Sequence, residues 1–302
     1  MKNKYSLLVL VILLSICTLK SQTAPKLLFS GENYSWQTLF YQSNNIQPCY
    51  LLYQAQFVVD KSLNFDKKLM EKSMDKFIPD KNTTGYGVLD WEGNIFNIIA
   101  GYTTVTQKVF DEHINEFIAT LRYAKFLRPN IKWSFYAMPT YVYFKYAEGK
   151  SKTFDKRLLL LRELDFLAPS FYVFYDGKTV PDAFSTQLID ANLSFALELA
   201  SKLNKPVYAF VWHRYCPGTN IINGNKIIDV VTFKAHISRI LNTTNFNRKP
   251  TGIIWWNCED FLAGTRTRDS VIMAEYKNVT DVELYKKNIL KTYLDVINSV
   301  VK

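Results

Sequence analysis

Short apolar runs alternate with longer segments of helical periodicity along most of the chain. Patterns typical of buried strands fall at residues 87–91, 132–138, 166–175, 206–215 and 251–257. Amphipathic helical patterns fall between them at 104–127, 154–164, 182–203 and 230–241, and a last helix is predicted at 281–300. Upstream, residues 26–30 and 51–59 predict two further strands, followed by a helix near 67–77.

Regular alternation of strand and helix predicts parallel strands joined by crossover helices. This many units favour an α/β fold of the distorted (β/α) TIM-like barrel type, and a doubly wound open sheet is the alternative. No strand is followed by a glycine-rich dinucleotide or phosphate-binding fingerprint, so we expect a protein that works without a cofactor. No repeat or linker divides residues 23–302, which are predicted to form one domain.

The first residues have the pattern of a secretory signal. Lys2 and Lys4 precede an apolar stretch at 7–14, which is too short for a permanent membrane span, and a polar zone ends near residue 22. We therefore predict a signal peptide at 1–22 and a secreted protein, with a lysosomal or periplasmic location left open by the unknown source. No later run is apolar enough to span a membrane, and we expect a monomer.

The chain is basic, with a formal net charge of +10, and removal of Lys2, Lys4 and Lys20 would leave about +7. Such a field favours acidic partners, among them nucleic acid, anionic membranes and polyanionic glycans. The charges are scattered along the sequence, and no nucleic-acid recognition motif is present. Charge therefore agrees with a polyanionic glycan partner and gives no reason to expect nucleic acid.

Cysteines and histidines offer no metal site. Cys49, Cys216 and Cys258 remain after signal removal, without a Cys-x-x-Cys pair, and the three histidines lack ligand spacing. An odd number of cysteines permits at most one internal disulfide. Five Asn-x-Ser/Thr sequons predict a glycoprotein if the source is eukaryotic, and they begin at Asn33, Asn82, Asn192, Asn242 and Asn278.

Two carboxylates end the strand predicted at 87–91. Residues i and i+2 of a strand point the same way, so Asp90 and Glu92 would project together while Trp91 faces the opposite side. Crowded carboxyls do not both ionise readily near neutral pH, so one keeps its proton and can act as a general acid. A solvated strand end is the simpler interpretation of an isolated Asp-x-Glu.

Aromatic side chains stand at the C-terminal ends of other predicted strands, which is where barrel enzymes place their chemistry. They are Tyr136, Tyr172, Tyr215 and Trp256. Each ring taken alone is more typical of a core, but together they could line a sugar-binding cleft, because flat rings pack on pyranose faces.

Four motifs resemble the animal hyaluronidases, in that family's order. Residues 124–130 (Ala-Lys-Phe-Leu-Arg-Pro-Asn), Trp133 and residues 135–139 (Phe-Tyr-Ala-Met-Pro) are similar to a family helix ending in Leu-Arg-Pro-Asn and the strand Trp-Gly-Phe-Tyr-Gly-Phe-Pro. Residues 87–92 (Gly-Val-Leu-Asp-Trp-Glu) resemble its catalytic Val-Ile-Asp-Trp-Glu strand. Residues 168–172 and 252–256 resemble its Tyr-Pro-Ser-Ile-Tyr and Gly-Val-Val-Leu-Trp strands.

The resemblance implies a retaining, substrate-assisted endo-N-acetylhexosaminidase acting on hyaluronan or chondroitin. Glu92 would be the proton donor, and Asp90 would hold the substrate acetamido group, whose oxygen attacks the anomeric carbon. Tyr136 and Tyr172 would contact the acetamido group and the scissile region, and Trp256 would pack beneath the sugar. The adjacent acids agree with this mechanism, because they are too close to flank a glycosidic bond from opposite sides. We expect Asp90 to be ionised and to keep Glu92 protonated.

The chain also departs from the family pattern. Tyr215 and Cys216 stand where the family usually has Tyr-Asp, and the basic residues that would grip glucuronate cannot be assigned. If the strands ending near Tyr215 and Trp256 are neighbours, Cys216 and Cys258 lie at adjacent strand ends, and we expect a disulfide between them that leaves Cys49 free.

Two rival functions remain. A chitinase-like hydrolase would also use an Asp-x-Glu strand end, but it needs a further Asp at the position of Val88. A secreted glycan-binding protein without activity would have no need of two crowded acids.

Overall fold

The computed structural model describes residues 24–31, 35–59, 64–140, 154–174, 182–217 and 224–301. The predicted signal peptide at 1–22 lies outside these residues. Within the described ranges, no helix has both the length and the apolar character needed to cross a bilayer.

Six parallel strands form one curved sheet in the order β4-β3-β2-β1-β6-β5. They are β1 (Lys26–Ser30), β2 (Gln47–Tyr53), β3 (Gly85–Asp90), β4 (Ile131–Phe135), β5 (Tyr208–Val211) and β6 (Gly252–Trp256). The register aligns Tyr53 with Asp90 and Ser30 with Trp256, so the C-terminal ends of the strands meet at one end of the molecule.

Residues 166–173 close the sheet into a ring. This segment was predicted as a continuous strand, but it pairs only through isolated bridges, among them Leu167 with Val207 and Ser170 with Phe210. On its other side the Asp165 amide donates to Trp133 O at 2.9 Å and the Ala168 amide to Met138 O at 2.7 Å. The segment therefore lies between β4 and β5. The barrel prediction is confirmed, and the open-sheet alternative is wrong.

Ten helices are described. They are α1 (Ser35–Ser43), α2 (Lys67–Phe77), α3 (Asn94–Ala100), α4 (Gln107–Leu127), α5 (Phe154–Glu163), α6 (Asp182–Leu203), α7 (Val230–Asn242), α8 (Glu259–Thr265), α9 (Ser270–Tyr276) and α10 (Val282–Val301). Side-chain caps begin several of them: Asp66 accepts from the Leu69 amide, and Asp229 accepts from the Val231 and Thr232 amides.

Strand alternation separates two cores. One face of each strand fills the barrel interior, where the Tyr86 and Tyr208 hydroxyls lie 2.9 Å apart beside Phe166. The other face packs against the surrounding helices and includes Leu89 and Trp255. Glycine is required at position 87, because a Cβ there would lie 2.4 Å from the Trp133 ring.

Candidate active site

Asp90 and Glu92 lie at the C-terminal end of β3, on the barrel side of the chain. Trp91 points the other way, as predicted, and stacks on Phe117 with ring centroids 4.7 Å apart. Its burial fixes the direction of both carboxyls. Gly93 follows with φ +80°, a conformation that L side chains rarely adopt, and caps the start of α3. The chain therefore turns away directly after Glu92.

The two carboxyls differ in environment. Asp90 is enclosed, and burial, followed by repulsion from Glu92, raises its pKa well above its ordinary value. Glu92 is more open to solvent, and partial enclosure of its carboxyl raises its pKa too. Within the described chain, Asp90 Oδ1 is buried without a hydrogen-bond partner. An unsatisfied buried oxygen is available to accept from a ligand.

This asymmetry is the reverse of our prediction. We expected an ionised Asp90 to keep Glu92 protonated, whereas the stronger upward pKa shift falls on Asp90 because it is the more deeply buried acid. Both carboxyls therefore hold a proton more readily than an exposed acid does, and burial has the larger effect on Asp90.

Five aromatic side chains line the barrel beside the carboxyls, and we call them the aromatic wall: Tyr53, Tyr136, Tyr172, Trp212 and Trp256. Tyr172 stacks on Trp256 with centroids 5.6 Å apart and contacts Tyr136 at 5.8 Å. Trp212 packs edge-on against Trp256 at 4.8 Å, and the Trp256 indole donates to the Tyr53 hydroxyl at 3.2 Å.

Tyr172 links the wall to the acids. Burial raises its pKa well above the ordinary value, and the neighbouring Tyr136 and Asp90 raise it further, so its hydroxyl stays protonated and can donate. Tyr136 in turn donates to Ser170 Oγ at 3.0 Å. These contacts hold two phenol hydroxyls and one carboxyl in the same space, as the positions of Asp90, Tyr136 and Tyr172 in the sequence predicted.

Two members of the wall were missed in the sequence. Tyr53 was placed inside a strand predicted at 51–59, but β2 ends at Tyr53 and a short 3-10 turn follows at Gln54–Gln56. Trp212 has the same parity as Tyr208 and Phe210, which face the barrel, and this alternation could have identified it. Its indole nitrogen is buried and has no hydrogen-bond partner among the described residues.

Tyr215 is not part of the wall. The sequence proposed it as a substrate contact, but its ring is buried in the outer core between the barrel and the helices. The regular strand β5 ends at Val211, so counting from the predicted strand end selected the wrong side chain.

The disulfide predicted between Cys216 and Cys258 is absent, and all three described cysteines are free thiols. Val211 pairs with Trp255, and continuing this register sets Cys258 beside Arg214, two residues short of Cys216. Cys258 is also buried beneath Trp212 and Trp256 at the start of α8. Cys216 lies near Glu92 instead, and burial followed by that carboxyl raises the pKa of its thiol to about 12.

A buried ion network holds α8 and α9 behind the wall. Arg214 donates to Glu259 at 2.6 and 2.7 Å and to Glu275 at 2.8 and 2.9 Å. Burial lowers the pKa of His213, so its ring is neutral. Because the Trp255 indole donates to His213 Nδ1, the ring proton is on Nε2 and is donated to Glu259 at 2.9 Å. The network ties the end of β5 to the helices that support Trp212 and Trp256.

Among the described residues, no group of three His, Cys, Asp or Glu side chains could hold a metal ion. The side chains of the site offer two carboxyls with raised pKa values, phenol hydroxyl donors, and flat rings around a cleft.

Comparison with known proteins gives a likeness in fold. Neither a family model nor a curated protein sequence matches the chain. Among solved structures, bee venom hyaluronidase matches with a TM-score of 0.58 and 14% sequence identity, covering 87% of this chain and 99% of the other. The same enzyme in complex with a hyaluronic acid tetramer matches with a TM-score of 0.57 and 15% identity, covering 83% and 94%. At this identity the likeness establishes the barrel fold.

Proposed function

We propose that the protein is an endo-acting glycoside hydrolase that cleaves N-acetylhexosaminidic bonds of a glycosaminoglycan, hyaluronan or chondroitin, with retention of configuration. The carrying observation is the Asp90–Glu92 pair, whose carboxyls both have raised pKa values at the end of an aromatic-walled barrel. The barrel likeness to a hyaluronidase and the basic charge of the chain support the substrate class.

In this mechanism the nucleophile belongs to the substrate. A sugar ring packs on Trp256, and its acetamido group lies against Asp90, with Tyr136 and Tyr172 in reach of its oxygen. The acetamido oxygen attacks the anomeric carbon while Glu92 protonates the leaving oxygen. Water then opens the cyclic intermediate, with Glu92 acting as base.

The raised pKa of Asp90 gives substrate binding a role in its ionisation. An acetamido N–H that donates to Asp90 Oδ1 would satisfy the unpartnered oxygen and stabilise its ionised form. Because the two acids interact, ionisation of Asp90 raises the proton affinity of Glu92. Binding would therefore favour the ionised form of Asp90 and the protonated form of Glu92, the acid that must donate.

The test is hydrolysis of hyaluronan, chondroitin and chitin oligomers between pH 4 and 7, with new reducing ends measured. We expect cleavage of a glycosaminoglycan and a loss of at least a hundredfold in kcat for Glu92→Gln. Glu283→Gln, on exposed α10, is the matched control and should keep full activity. Activity that survives in Glu92→Gln would contradict the mechanism.

The same assay separates the rival functions. Cleavage of chitin oligomers alone would favour the chitinase-like alternative, although Val88, at the position where that alternative needs an Asp, is fully buried in the barrel. Binding of oligosaccharides without cleavage would favour a glycan-binding protein.

A further inference from the structure

Lysine and arginine side chains gather at the N-terminal ends of the strands, opposite the cleft. Seven such residues define this basic end: Lys26, Lys81, Lys132, Arg162, Lys205, Arg248 and Lys249. Each belongs to a strand start, to the last turn of a helix or to a connection that leads from a helix into the barrel. In the sequence they are scattered, and only the parallel topology brings them to one face.

Ring order distributes the charge around this face. Lys132 is the second residue of β4, Lys81 precedes β3, Lys26 starts β1 and pairs in register with Gly252 of β6, and Lys249 precedes β6. Lys205 and Arg162 precede the two segments that close the ring. Strands about 4.8 Å apart make a closed ring of seven on the order of 15 Å across, so the cations surround a broad face.

The carboxylates at this end do not neutralise it. Four of them already pair with other cations: Asp75 with Arg128, Glu163 with Arg122, Asp165 with Lys125 and Glu198 with Lys202. A fifth, Asp80, is exposed next to Lys81 in the chain and offsets one of the seven positive charges. The described residues offer no carboxylate partner to Lys26, Lys81, Lys132, Arg162 or Lys249. The electrostatic potential at this face is therefore positive, and its side chains are accessible to an external anion.

Two exposed aromatic rings lie at the same end. Phe126, in the last turn of α4, is 73% exposed, and Phe246, in the connection from α7 to β6, is 47% exposed. Exposed rings among lysines are typical of proteins that lie on a membrane, where the rings enter the headgroup region and the cations contact anionic lipid.

We propose that the basic end binds the surface of an anionic lipid bilayer. When the protein lies on the membrane with this face, the side chains of Lys26, Lys132 and Lys249 contact lipid phosphates and carboxylates. Phe126 and Phe246 enter the headgroup region. The cleft at the other end of the barrel then faces away from the membrane. This inference is independent of the proposed hydrolase activity.

The test is co-sedimentation of the full chain with phosphatidylcholine vesicles that contain or lack 30% phosphatidylserine, at low and high salt. The sequons that begin at Asn82 and Asn242 lie near the basic end. The protein used in the assay therefore has Asn82→Gln and Asn242→Gln, so that no glycan can cover this face. We expect salt-sensitive binding to the anionic vesicles alone. A Lys in the surface field is worth about a fivefold change in affinity, so the triple variant K26E/K132E/K249E should weaken binding by about a hundredfold or more.

The matched control is K108E/K234E/K291E, which has the same net charge but changes exposed lysines elsewhere on the helices. Circular dichroism checks that the charge-reversal variants are folded. If one of them is not, K26Q/K132Q/K249Q and F126Q/F246N take its place, and both should also weaken binding. Equal binding by the basic-end and control variants would overturn the proposal. So would equal binding to neutral vesicles, or retention on a heparin column without vesicle binding, which would identify a sulfated glycan as the partner.

Discussion

Replacing Glu259 with Gln exchanges one oxygen for an amide nitrogen at a position fully enclosed behind the aromatic wall. Burial alone would raise the pKa of Glu259, but hydrogen bonds from His213 and Arg214, with the charge of Arg214, lower it to about 2. A fall from the ordinary 4.5 to about 2 corresponds to about 3 kcal/mol of stability at neutral pH. Removing one member of a buried ion pair costs a similar amount, about 3–5 kcal/mol.

The sign fixes the pH window. Because the folded-state pKa is depressed, the ionised carboxylate stabilises the protein above about pH 4.5, and this contribution is lost as the pH falls from about 4.5 to about 2. The free energy of unfolding, measured by urea titration at pH 7, 4.5 and 2.5, should differ between wild type and Glu259→Gln by about 3 kcal/mol at pH 7. Most of that difference should disappear at pH 2.5.

The matched control is Glu283→Gln. Glu283 is exposed on α10 and pairs with Lys287 one turn later, so its replacement should change the free energy of unfolding by less than about 0.5 kcal/mol. A difference for Glu259→Gln that stays constant between pH 7 and 2.5, or that is no larger than the control, would refute the assigned role of this carboxylate.

Three other predictions follow from single residues. Asp90 has a raised folded-state pKa, so its contribution to stability is lost as the pH rises through that value; in a urea titration at pH 7, Asp90→Asn should be more stable than wild type, and the proposed hydrolase activity should be lost. Cys216 should be the one described cysteine alkylated by iodoacetamide in the folded protein, at alkaline pH, because Cys49 and Cys258 are buried; peptide mapping that finds Cys258 equally labelled would contradict this. Asn192 should carry no glycan after eukaryotic secretion, because its side chain is buried and its amide donates to Leu188 O at 2.8 Å, whereas glycopeptide mapping should detect Asn82, Asn242 and Asn278, which are exposed.

Sequence periodicity predicted the elements whose pattern extends over several turns or a full strand. β1 has its predicted bounds, α2 likewise covers Lys67–Phe77, and α4 ends at Leu127 as predicted. Helices α3, α8 and α9, of seven residues each, were not predicted, because two turns give too little period to distinguish a helix from a loop.

The site was predictable where local alternation decides direction. The alternation of side chains along a strand predicted that Asp90 and Glu92 point to one side of the chain and Trp91 to the other. Tyr215 was proposed from the predicted strand end, whereas its parity with Ala209 and Val211 agrees with its place in the outer core. The larger pKa shift of Asp90 could not be predicted from the sequence, because it depends on burial depth, which local alternation does not give.

The closure of the barrel has a consequence for motion. β3 has full ladders on both sides, whereas residues 166–173 are joined to their neighbours by isolated bridges. Segments with fewer ladder bonds open at lower free energy than the strands beside them. Among the segments of the barrel, we therefore expect amide exchange at residues 166–173 to be faster than in β3, and because this segment carries Ser170 and Tyr172, that side of the aromatic wall would move more readily than the side that carries the β3 carboxyls.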